Sequence, residues 1–236
     1  MKEIKILHLF PRLLSLYGEY GNLAVLRSTL ERSGCKVLVD QYEDGVVKLE
    51  GYDLVYVGTG TEDNLMEAIR RLMPYASQVR SSVTGGIHWL ATGNAMTLFG
   101  ATVSRGGAVS EALGCFDYTT CIHDDRRYLG DVLTEAAFGS PLVGFINTSS
   151  VYESIPSPLL NLTLGARLGN DKQGSADGIR SGNFLGTQLI GPVLVKNPHL
   201  LSWICGELTG TEVTIGMDTN IQKAYQVALQ ELSARV

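Results

Sequence analysis

Residues Trp89-Leu90-Ala91-Thr92-Gly93-Asn94-Ala95-Met96-Thr97-Leu98-Phe99-Gly100 read as a strand, a sharp turn and a helix. The small residues Ala91 and Ala95 stand two before and two after the centre of the turn. A turn of this build holds its central residue in strained dihedrals, and its flanks must be small so that the backbone can pass. Enzymes use it to present a nucleophile at the edge of a sheet. Here the centre is Gly93, which has no side chain and cannot attack anything.

The same strand-then-helix alternation extends outward from this stretch. Ile4 to Leu9, Lys36 to Val39 and Asp53 to Val57 read as strands, and Ser82 to Ala91 holds a fourth. Between them, Asn22 to Arg32 carries Leu23, Leu26 and Leu30 at helical spacing and stops at Gly34. Glu62 to Met73 repeats the pattern with Leu65, Ile69, Leu72 and Met73, and Pro74 is expected to close it. Strands alternating with helices require crossover connections. The expected fold class is therefore α/β, a three-layer sandwich around a mostly parallel sheet. The second half has a different texture. Cys115 to Ile122, Arg127 to Leu133, Leu142 to Asn147 and Asn183 to Ile190 read as strands, and Pro198 to Glu207 as a helix. Asn161 to Ser181 is rich in Gly, Asp, Asn and Ser and is expected to be a long loop. Ile221, Ala224, Tyr225, Ala228, Leu229 and Leu232 make one apolar stripe on a last helix. No linker or repeat interrupts the chain, so one domain spanning residues 1–236 is expected.

Composition narrows the function. Glycine supplies 27 of 236 residues, where an average of roughly 7% would give about 17. Charged residues are 18% and hydrophobic ones 44%, which excludes a disordered chain, a coiled coil and collagen. The net charge of −5 comes without a block of Lys or Arg, so no nucleic-acid partner is expected. Cys35, Cys115, Cys121 and Cys205 have no metal-ligand spacing and read as free thiols in a reducing compartment. No metal or cofactor is expected. No apolar run reaches the roughly 18 residues of a membrane helix. Met1-Lys2-Glu3-Ile4 runs straight into a strand, so no leader and a cytoplasmic location are expected.

In an open parallel sheet ligands bind beyond the carboxyl ends of the strands. Val57-Gly58-Thr59-Gly60-Thr61 leaves the third strand there. Its N–H groups could face an oxyanion or carboxylate, or the segment is a bare turn. It is not a Walker loop, because no Gly-Lys-Ser/Thr follows. Gly186-Thr187-Gln188-Leu189-Ile190-Gly191-Pro192 closes a late strand.

Five stretches in order resemble the class I glutamine amidotransferases of the cobyric-acid-synthase-like group, and within it the GatD-type subunits. They are His8-Leu9-Phe10-Pro11 with Leu16-Tyr17-Gly18-Glu19-Tyr20-Gly21-Asn22, Asp53 to Gly60, Ala91 to Gly100, Arg127-Tyr128-Leu129-Gly130-Asp131, and Phe184 to Pro192 with Lys196-Asn197-Pro198. The resemblance implies the flavodoxin-like amidotransferase fold. It also implies a Mur-ligase-like partner subunit and the amidation of the glutamate of lipid II. That chemistry uses a cysteine thiolate against the glutamine side-chain amide and a histidine to move the proton. Carried over by position, the cysteine falls on Gly93 and the histidine on Ile190. Ile146 replaces an acidic residue, and Thr59 and Thr61 replace residues of the glycine-rich loop. The resemblance assigns substrate contact to Gly58, Thr59, Gly60, Asn94 and Arg127, and for Arg127 an ion pair with Asp131 or Asp124 is the competing expectation. Thr92 and Thr97 offer hydroxyls without an evident base, and His88 stands at the far end of its strand. Three readings follow: a catalytically degenerate subunit that binds a partner, an active amidotransferase with a non-standard nucleophile, and a module that senses glutamine.

Overall fold

The computed structural model describes residues 1–216 and 219–236. Along the chain the first half runs β1 (Glu3–Leu9), α1 (Tyr20–Arg32), β2 (Lys36–Tyr42), β3 (Leu54–Val57), α2 (Glu62–Leu72), α3 (Ala76–Thr84) and β4 (His88–Thr92). The second half contains β5 (Thr102–Arg105), β6 (Ala108–Glu111), β7 (Thr119–Ile122), β8 (Tyr128–Ala137), β9 (Ser140–Thr148), β10 (Ser150–Glu153), β11 (Leu160–Leu164), β12 (Ala176–Asp177), β13 (Ile179–Ser181) and β14 (Phe184–Thr187). Three helices close it: α4 (Val193–Lys196), α5 (Pro198–Thr209) and α6 (Asn220–Ser233).

The central sheet has the order β13-β14-β4-β3-β1-β2. Five of its strands are mutually parallel, and β13 joins antiparallel at one edge. Alternate residues face opposite sides, and each side is covered. Ile4, Ile6, Leu54, Tyr56 and Leu90 pack with Leu23, Leu26 and Leu30 of α1 and Leu200, Leu201 and Ile204 of α5. Leu7, Leu9, Val55, Val57 and Trp89 pack with Leu65, Ile69 and Leu72 of α2 and Val79 and Val83 of α3. This is why β3, read as an unbroken apolar run, is buried at every residue. Two smaller four-stranded sheets, β10-β7-β5-β6 and β12-β11-β8-β9, flank the central one.

Several expectations change. Pro74 does not end the helical segment. It sits in the first turn of a short 3₁₀ helix, Met73–Tyr75, that leads into α3. Proline has no N–H to lose at such a position. Ser82 to Thr84 therefore end a helix, and the fourth strand begins only at His88. The segment after it, Gly93–Phe99, is a 3₁₀ helix. Asn161 to Ser181 is no continuous loop, since β11, β12 and β13 run through it. Leu160 and Leu162 of β11 alternate inward, and Asn161 and Thr163 face out.

Candidate functional site

Three loops meet at the carboxyl edge of the sheet: the one after β3, the turn after β4 and the segment after β14. Gly93 begins the turn after β4 with φ +62, a left-handed conformation that favours glycine. A Cβ placed on Gly93 would lie 2.5 Å from Cβ and 2.6 Å from Oγ1 of Thr59, and 2.9 Å from Cγ2 of Ile190. The space in front of the turn is thus filled from both sides by side chains that are themselves buried.

Asn94 fastens the loop after β3 onto this turn. Its Oδ1 accepts from Thr59 Oγ1 at 2.6 Å and from the Gly60 N–H at 3.1 Å, and its Nδ2 donates to the Gly60 carbonyl at 2.8 Å. The Gly60 N–H, which the sequence offered to an oxyanion, is spent inside the protein. The segment after β1 lies over the same loop. The Leu16 N–H donates to the Thr59 carbonyl, and a Cβ on Gly58 would meet the Leu14 carbonyl oxygen at 2.9 Å. Ile190 is held from the other side, its N–H donating to the Phe145 carbonyl at 2.9 Å. Ile146, at the position where the resemblance expects an acid, is fully buried among Val132, Leu142 and Leu189.

Beneath the turn lies a polar cluster that the sequence reading missed. Glu19 Oε2 accepts from Tyr56 Oη at 2.8 Å, from Asn22 Nδ2 at 3.3 Å and from Thr92 Oγ1. Tyr56 Oη and Thr92 Oγ1 are 3.1 Å apart. Burial pushes the Glu19 carboxyl up from the usual range, against the pull of these donors, and pushes the Tyr56 phenol well up. The Thr92 hydroxyl therefore does have an acid beside it, but the whole cluster is closed to solvent. Glu19 lies in the first of the five stretches that carry the resemblance, but that stretch gave it no role. His8 lies on the same side, its ring 5.2 Å from that of Tyr56, and burial pulls its pKa down to about 4.

Arg127 is not part of this interior. It stands at the mouth, where Nε donates to Asn147 Oδ1 at 2.9 Å and Nη1 approaches Glu62 Oε1 at 3.2 Å. Ser149 Oγ donates to the same carboxylate oxygen at 2.6 Å. The competing expectation for Arg127 named the wrong acids. Asp131 is taken by Arg235, and Asp124 by Arg105. A polar cleft of about 220 Å³ opens beside Arg127, lined also by Glu62, His123, Asp125 and Arg126. His88 is remote from the turn, at the opposite end of β4. Among the described residues all four cysteines are free, and burial pushes the Cys115 and Cys205 thiols up to about 12, far from a thiolate. No group of metal-ligating side chains is found among the described residues, and no described helix is long and apolar enough to cross a membrane.

No protein-family model matches the chain. Two curated proteins do. It is 26% identical over 206 residues to the GatD subunit of lipid II isoglutaminyl synthase (glutamine-hydrolyzing) of Staphylococcus aureus, covering 86% of this chain and 84% of that protein. The corresponding subunit of Streptococcus pneumoniae is 24% identical over 242 residues, covering 98% and 89%. The chain is a distant homologue of GatD. Among solved structures, a glutamine amidotransferase superposes with a TM-score of 0.55 at 17% identity, over 87% of this chain and 99% of its own. That likeness places the GatD-like chain in the amidotransferase fold.

Proposed function

We propose that this GatD-like chain is a catalytically degenerate amidotransferase subunit. It keeps the architecture and a partner-binding role in a cell-wall amidation system of the lipid II isoglutaminyl synthase kind, its partner being a Mur-ligase-like subunit. The observation that carries the reading is the filled space in front of Gly93. Loss of a nucleophile alone would leave an empty pocket. Here Thr59 and Ile190 close on the glycine and pack where a thiol and an imidazole would need room. Even a single carbon added at Gly93 would collide with both neighbours. Glycine also relieves the left-handed turn of the strain that any side chain brings.

The test is glutaminase activity, followed as ammonia release with and without the partner. The wild-type chain is expected to release none. Gly93→Cys alone should stay inactive and lose stability by about 1–3 kcal/mol through overpacking. The triple variant Thr59→Gly, Gly93→Cys and Ile190→His recovers the room and both reacting groups, and measurable turnover should return only there. Wild-type ammonia release that disappears in Arg127→Ala would overturn the proposal in favour of an active enzyme.

A further inference from the structure

We propose that the recess beneath α6 is a binding site for a small amphipathic carboxylate. Lys196 holds the carboxylate, and the apolar side of α6 covers an aliphatic body. The site is independent of the partner-subunit reading, and one of its walls continues from the segment that carries Ile190.

The sequence marks α6 by its apolar stripe, and such a stripe stabilises a helix only where something covers it. In the fold only Tyr225 and Leu232 of the stripe are buried. Ala224 stays exposed and Ala228 is half-buried. What remains between the helix and the residues of β8, β9 and α4 is a recess of about 430 Å³, within the roughly 300–1,000 Å³ of small-molecule sites. Its larger apolar lining lies deep. Val143 is 2% exposed, Tyr225 3% and Leu232 8%. Side chains that line a space while so little exposed form a hollow, whereas a protein-docking face presents such groups outward. Tyr225 is fixed at the base, since its hydroxyl donates to the Pro141 carbonyl at 2.8 Å. The two alanines keep the hollow open.

Charge then selects the ligand. Lys196, Asp131, Glu231 and Arg235 also line the recess. Asp131 and Arg235 pair with one another. Glu231 is exposed to water. Lys196 is half-buried and has no carboxylate partner among the described residues. Its Nζ lies against the backbone after β14, 3.3 Å from where a Cβ on Gly191 would stand. The charge left to be satisfied in the hollow is therefore positive. A carboxylate meets it with a charge-assisted hydrogen bond, and an aliphatic chain on that carboxylate covers the uncovered stripe. A ligand touching α4, β9 and α6 together also fastens α6 to the body of the protein.

The experiment titrates the purified chain with sodium octanoate, 1-octanol and octylamine by calorimetry, and follows amide hydrogen exchange in α6. Octanoate should bind saturably at one site and slow exchange in α6 at least tenfold. Octanol and octylamine should each bind at least tenfold more weakly. Lys196→Met keeps an apolar stem of similar length and should weaken octanoate at least tenfold while leaving octanol unchanged. Ala224→Phe, at an exposed position that admits a larger side chain, fills the hollow and should abolish binding of octanoate. Thermal melting checks that both variants fold. Octanoate binding undiminished in Lys196→Met or Ala224→Phe would put the ligand elsewhere and overturn the proposal. Octylamine binding as tightly as octanoate would overturn the assignment of charge, and no saturable binding at millimolar octanoate would remove the site. A chain that is dimeric alone and is separated by Ala224→Phe would give the hollow to a second copy, which overturns the proposal as well.

Discussion

At Gly93 one backbone angle and two neighbouring side chains decide what the turn can do. The sequence showed a glycine at the centre of the turn, but the spacing of letters could not show that Thr59 and Ile190 fill the space in front of it. The buried polar residues beneath the turn lend themselves to measurement. His8 holds its pKa at about 4 in the fold because burial disfavours the imidazolium, against 6.5 for the free side chain. As pH falls, the unfolded chain takes up the proton first. The contribution of His8 is therefore complete above pH 6.5 and is lost progressively down to pH 4, by up to about 3 kcal/mol. Denaturant melts at pH 7 and pH 4.5 should show the wild type losing more stability between the two than His8→Gln. Equal losses would mean that His8 is as free in the fold as in the unfolded chain.

At the scale of elements, the regular first half was legible because apolar periodicity there coincides with burial on two covered faces. The readings that failed share a cause: local signals were outweighed by contacts distant in sequence. Proline punctuated α2 and α3 without ending the helical layer. The polar stretch from 161 to 181 hid β11, β12 and β13 because only one side of those strands faces apolar neighbours. Its polar residues are also used internally. Lys172, nearly buried, donates from Nζ to the carbonyls of Leu168 and Gly169 and to Gln188 Oε1. Gln188 Nε2 in turn donates to Asp177 Oδ1 at 2.9 Å. This relay pins the stretch to the end of β14, two residues before Ile190. Lys172→Met leaves two buried acceptors and one part-buried acceptor without the ammonium and is expected to cost about 2–4 kcal/mol, read as a fall in the denaturant midpoint. An unchanged midpoint would mean that water replaces the ammonium and that the relay holds nothing.

For the whole molecule, stability is expected to be graded. The central strands β1, β3 and β4 are buried on both faces, whereas α6 buries only Tyr225 and Leu232 and joins a small separate cluster with Leu133 and Val143. Amide hydrogen exchange should therefore be slowest in the three strands and orders of magnitude faster in α6. Uniform protection would show instead that α6 unfolds only with the core. The sequence by itself determined the α/β class, the parallel sheet, the turn with Gly93 at its centre and the aliphatic Ile190 at the end of the last central strand. These are local: they follow from periodicity, from chain order and from which side chain a residue carries. Only the tertiary structure decided that the space in front of Gly93 is filled, that Asn94 consumes the Gly60 N–H, that Glu19 lies under Thr92, and that Arg127 answers to Glu62. Each of these depends on residues tens of positions apart arriving within a few ångströms of one another, and such distances are set by how the sheet and its loops pack.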